Sequence, residues 1–121
     1  MEFIALIYDD PAGWERMTEA EQAEAMKGYI AVAEDARAAG VFVSGDPLAP
    51  TSAATSVRVR NGDPVVTDGP YAEVKESLGG YYLFSCDTIE DAIEWAAKIP
   101  AAWTGGAIEV RPVHVEEEAA A

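Results

Sequence analysis

The densest run of chemically capable side chains is Thr67-Asp68-Gly69-Pro70-Tyr71-Ala72-Glu73-Val74-Lys75-Glu76. If they converge on a pocket, Asp68, Lys75 and Glu76 supply a base, an electrostatic stabiliser and an acid. The same residues also have a purely structural use. Asp68-Gly69-Pro70 is a turn in which the Asp side chain accepts backbone N–H groups and Gly69 takes positive φ, and Asp68 and Lys75 then cross-link an ordered loop. Geometry decides between the two.

A second candidate is Arg111, which alternation along the last strand places on one face with Glu109. Its guanidinium fork fits the carboxylate or phosphate of a small ligand. The alternative is an ion pair with Glu109 or with a carboxylate across a subunit interface. Arg58 and Arg60 fall on the same side if Val57 and Val59 face the helices. Arg111, Arg58 and Tyr71 are thus the ligand-binding candidates.

Other reactive side chains are few. His114, the one histidine, lies near the end of the chain, where an exposed imidazole is the ordinary reading. A triad or a Cys-His arrangement would have to use it, and a multi-histidine metal site within one chain is excluded. Cys86 makes no intrachain disulfide and no Cys-rich zinc site, and reads as a small buried hydrophobe. An Asp/Glu cluster suits Mg²⁺, but no motif asks for one, and no metal or cofactor is implied. Trp14, Trp95 and Trp103 read as core and interface rather than as a stacking platform.

The chain of 121 residues carries 22 Asp plus Glu against 8 Lys plus Arg, a net charge of −14. Its scattered basic residues argue against nucleic acid and against anionic membranes as partners. The longest apolar run, Phe3 to Tyr8, is far short of the ~20 residues of a membrane helix, and the N-terminus resembles no leader. A cytoplasmic location is therefore expected. The length fits one domain, residues 1–115, with Glu116 to Ala121 as a frayed tail.

Met1 to Tyr8 reads as a strand that is apolar on both faces. Asp9, Asp10, Pro11 and Gly13 read as a turn. Thr18 and Glu21 form a capping box opening a helix from Glu19 to about Ala39, with Met26, Tyr29, Ile30 and Ala33 as its apolar stripe. Val41 to Val43 is a short strand, and Asn61-Gly62 joins Ser56–Arg60 to Pro64–Val66 as a hairpin. Gly80 to Cys86 is a second two-faced strand. Thr88 and Asp91 open a shorter helix that ends at Pro100, and a last strand follows over Ala107 to Val115.

This order is that of an α+β, ferredoxin-like sheet with two helices on one face. Two helices cover one face only, yet Phe3 to Tyr8 and Tyr81 to Phe84 are apolar on both. Exposed apolar surface costs about 25 cal/mol per Å². The economical cover is the same face of a second copy, so a homodimer packed sheet to sheet is expected.

The motif Asp68 to Glu76, followed by Leu78-Gly79-Gly80-Tyr81-Tyr82, resembles the DGPF group of YCII-related proteins. Glu94-Trp95-Ala96-Ala97, Ile99-Pro100 and Glu109-Val110-Arg111-Pro112-Val113 carry the resemblance to the chain's end, and Tyr71 stands where that group usually has Phe. The resemblance implies a dimeric α/β barrel. It also implies two functional settings. One is a small-molecule protein, an enzyme in some wider relatives, with a cleft beside the loop. The other is a non-catalytic interaction module associated with sigma-70 factors of the extracytoplasmic-function type. The wider relatives' catalytic pair, a first-helix histidine with an aspartate, does not carry over, because this first helix has no histidine.

Overall fold

Phe3, Ala5 and Ile7 alternate with Ile4, Leu6 and Tyr8, and in the computed structural model this alternation sorts the strand: the odd set is buried and the even set half-buried. The structure describes residues 1–72 and 75–115. Glu73 and Val74 of the loop motif, and the expected frayed tail, lie outside the described residues.

The described residues form six strands and three α-helices in chain order: β1 (Glu2–Asp9), α1 (Pro11–Arg16), α2 (Glu19–Ala38), β2 (Phe42–Pro47), β3 (Thr55–Arg60), β4 (Asp63–Asp68), β5 (Ser77–Ser85), α3 (Ile89–Ala96) and β6 (Ala107–Pro112). Four of the strands form one antiparallel sheet in the order β2-β5-β1-β6. With α2 after β1 and α3 after β5, this is the ferredoxin-like α+β arrangement expected above, the single-chain unit of a dimeric α/β barrel.

The core lies between one sheet face and the two longer helices. Phe3, Ala5, Ile7, Tyr82 and Phe84 meet Val32 and Ala36 of α2 and Ala92 and Ala96 of α3. The Tyr82 ring stacks on Phe84 with centroids 5.6 Å apart, and its hydroxyl donates to the Tyr29 carbonyl at 2.8 Å, pinning α2 to the sheet. Burial pushes that hydroxyl's pKa up to about 12, so it stays a donor at any physiological pH. The caps stand as read. Thr18 accepts from the Glu21 N–H while Glu21 accepts from the Thr18 N–H, and Thr88 accepts from the Asp91 N–H. Among the described residues no helix is long and apolar enough to cross a membrane.

Four expectations are corrected. Asp10-Pro11 opens a helix instead of a turn: the Asp10 carboxylate accepts from the Ala12 N–H at 3.0 Å, and Pro11 occupies the first helical position, where no N–H is needed. β2 runs on to Pro47, well past Val43. The buried stripe of α2 is Ala25, Val32 and Ala36, and Met26 and Ile30 lie outside it. Small side chains let α2 approach closely, since a β-carbon at Gly28 would meet Pro100 Cγ at 2.7 Å. Finally, Val57 and Val59 do not face the helices. β3 and β4 pair only with each other, as a separate exposed hairpin, so Arg58 and Arg60 are not on the open face of the main sheet.

That open face carries Ile4, Leu6, Tyr81 and Leu83, all half-buried, and the register sets Arg111 and Glu109 opposite Ile4 and Leu6.

Candidate functional site

Asp9 sits where two cavities meet. It ends β1 just past a register shift between Ile7 and Tyr8, an irregularity of the kind that re-aims a strand end. On one side a cleft of about 540 Å³ opens between α2 and the β2/β5 edge of the sheet. On the other, a smaller cavity of about 190 Å³ lies between α1, Lys75-Glu76 and the Thr104–Gly106 turn. Asp9, Trp14 and Tyr29 line both.

The larger cleft is mostly apolar. Met26, Ile30 and Ala33 of α2 form one wall, and Pro47, Leu48 and Tyr82 the other. Its floor needs glycine: a β-carbon at Gly80 would lie 3.0 Å from the Asp46 carbonyl, and one at Gly79 would lie 3.3 Å from Asp9 Oδ1. The Leu48 N–H donates to the Gly79 carbonyl at 2.9 Å, which ties the end of β2 to this floor.

Charge enters the cleft at few points. Burial pushes the Asp9 carboxyl above its ordinary range, and the neighbouring Asp10 carboxylate adds to the shift. Tyr29 is also pushed up, by burial and then by Asp9, against a smaller opposing pull from the Ala101 backbone amide. Farther along, the Arg37 guanidinium lies 4.4 Å from the centroid of the Phe42 ring, while the Asp46 carboxylate accepts from the Tyr81 hydroxyl at 3.4 Å on the other face of the sheet. An arrangement of this kind has the chemistry to hold a small molecule by an apolar body and to offer polar acceptors at one end. Among the described residues no cluster of three or more His, Cys, Asp or Glu is placed to hold a metal.

The residues singled out in the sequence fall into three places. Lys75 and Glu76 line the smaller cavity, beside Asp9 and Tyr29. Asp68 is exposed at the end of β4, opposite Thr55, and the turn after it is held by the Gly69 N–H donating to Ala54 at 2.7 Å and the Ser56 hydroxyl donating to the Gly69 carbonyl at 2.8 Å. Gly69 has φ +104°, as its turn demands. Tyr71 is exposed and carries the Arg58 guanidinium 4.9 Å from its ring centroid. Arg111 Nε meets Glu109 Oε2 at 2.7 Å on the open face of the sheet. Asp68, Tyr71, Arg58 and Arg111 are therefore not brought together with Lys75 and Glu76.

Asp9, Trp14 and Tyr29 were missed in the sequence. Read as sequence, Asp9 belongs to a turn and Tyr29 to a core stripe. The available signal was an Asp-Asp pair directly ending a two-faced strand, with an aromatic five residues on.

Over residues 1–117 the chain matches the model of the YCII-related domain. It is 33% identical over 114 residues to an uncharacterized protein of Rhizobium meliloti (strain 1021), a match covering 93% of this chain and 92% of that one. In structure it is similar to 5-chloro-2-hydroxyhydroquinone dehydrochlorinase from Burkholderia phenoliruptrix in complex with 2,5-dihydroxybenzoquinone. The TM-score is 0.55, at 13% identity and with 98% of each chain covered, a likeness of fold.

Proposed function

This chain belongs to the YCII-related family, and on that premise we propose that it binds a small molecule with an apolar body in the cleft between α2 and the β2/β5 edge. One observation carries the reading. Met26 and Ile30 are 48% and 53% exposed although they continue the apolar stripe of α2, and both face a concavity of about 540 Å³. Small-ligand sites are concave, mostly apolar and roughly 300–1,000 Å³ in size. The dehydrochlorinase of similar fold binds a hydroxylated ring compound, which agrees with a small-molecule role.

In this reading the segment after the Asp68-Gly69-Pro70 turn contributes Lys75 and Glu76 to the smaller cavity, next to the ligand's polar end. Asp68, Tyr71 and Arg58 order the loop and hairpin. Arg111, paired with Glu109, lies on the open sheet face that a second copy covers in a homodimer. The sigma-factor alternative draws no support from the similar proteins.

The test is a thermal-shift and ligand-observed NMR screen of the full chain with small aromatic and aliphatic compounds, repeated on Ile30→Gln. Ile30 is exposed, so the variant folds. A hit weakened about tenfold by the substitution supports the reading, since the wall loses apolar contact. Hits indifferent to Ile30 overturn it. Native mass spectrometry of the same sample reads the dimer and any retained ligand together.

A further inference from the structure

The chemistry of the ligand is written in the charge of the cleft. Its lining includes two carboxylates, Asp9 and Glu34, against the single guanidinium of Arg37, which is already stacked on Phe42. Asp46, also on the cleft's rim, turns its carboxylate to the Tyr81 hydroxyl on the opposite face of the sheet. Asp9 has no such partner: among the described residues no Lys or Arg nitrogen lies within 4.0 Å of it, the ion pairs there being Arg16 with Asp10 and Arg111 with Glu109. A half-buried carboxylate facing an apolar cavity without a cation is an uncompensated charge. The aromatic rings of Trp14 and Tyr29 line the same two cavities as Asp9, and ring faces attract cations. A chain with net charge −14 also draws cations toward it and repels anions.

We propose that the ligand is a primary or secondary amine on an apolar or aromatic body, its ammonium group at Asp9 between Trp14 and Tyr29 and its body along Met26 and Ile30. This rests on the cleft reading given above and adds the charge of the ligand to it. In the larger cleft a carboxylate or phosphate would meet Arg37 alone, while the smaller cavity beyond Asp9 sets Arg16 and Lys75 against Asp9, Asp10 and Glu76, with Arg16 already paired with Asp10, so an anionic head is disfavoured there too.

The experiment compares three compounds of matched body on the full chain: 2-phenylethylamine, 2-phenylethanol and 3-phenylpropanoate, titrated by calorimetry or NMR at neutral pH and low salt. The amine is expected to bind about tenfold more tightly than the alcohol, a charge-assisted contact set against a neutral one, and the carboxylate most weakly. Asp9→Asn should bring the amine down to the alcohol and leave the alcohol within about twofold. If the alcohol or the carboxylate binds best, or the amine's advantage survives Asp9→Asn, the amine inference is overturned, while sensitivity to Ile30→Gln keeps the cleft. If none of the three binds at millimolar concentration, the cleft reading falls and the inference falls with it.

Discussion

The β1–β5 pair and the β3–β4 hairpin are both antiparallel ladders, the first with a register shift after Ile7, yet they differ in what they cover. Across the first, Phe3 faces Phe84 and Ala5 faces Tyr82, with none of the four more than 7% exposed. Across the second, Val57 faces Val66 and Val59 faces Pro64, and those three valines are 60–66% exposed. The hairpin forms because Asn61 and Gly62 both take positive φ, the conformation of a tight two-residue turn, and because Gly69 is tied back to Ala54. Pairing is thus a property of the backbone and the turn, whereas burial depends on what lies over the face. Two strands alone are marginal in water.

Substitutions across the two regions sharpen this contrast. Phe84→Ala removes a fully buried ring and should cost about 3–5 kcal/mol in urea denaturation. Gly28→Ala forces α2 away from Pro100 and should cost about 1–3 kcal/mol by the same measurement, because the ring it meets is rigid. Asp9→Asn acts through pH. The folded carboxyl holds its proton more tightly than the unfolded one, so its ionisation lowers stability as pH rises above the ordinary value of 3.8. Asp10, Tyr29, Lys75 and Glu76 surround it. The variant should therefore melt slightly higher than the parent at neutral pH and match it near about pH 3, as scanning calorimetry would show. Val57→Ala has the smallest expected effect, within about 0.5 kcal/mol. A larger loss that grew with protein concentration would mean that a second copy covers the hairpin, and the contrast would break.

The four-stranded sheet was legible because Phe3 to Tyr8 and Gly80 to Cys86 are long apolar runs, and the helix starts because Thr18 and Thr88 sit three residues before an acidic residue. The face of α2 was not. Hydrophobicity favours Met26 and Ile30, but the tight approach at Gly28 is made by the absence of side chain, and Ala25 and Ala36 look bland in any periodic pattern. The same rotation hid the cleft. Two large side chains assigned to the core proved to be the wall of a cavity, and Asp9 at its end was visible only once β1, α1 and β5 were folded together. The Asp68 to Glu76 run stood out by density of charge, yet its members separate in space because the chain spends Asp68 on the hairpin and Lys75 on the approach to β5.

Cys86 offers a last consequence. It is the sole thiol of the chain, buried against the core just past the end of β5, and burial followed by Asp91 and Asp87 raises its pKa, which suppresses the reactive thiolate. Its N–H is bonded to the carbonyl of Met1 and its side chain is packed in the core cluster, so reaching the sulfur requires that packing to loosen. The rate at which an alkylating reagent modifies this protein is therefore a clock for the opening of its core. A ligand that stiffens the cleft should slow that clock without touching the sulfur.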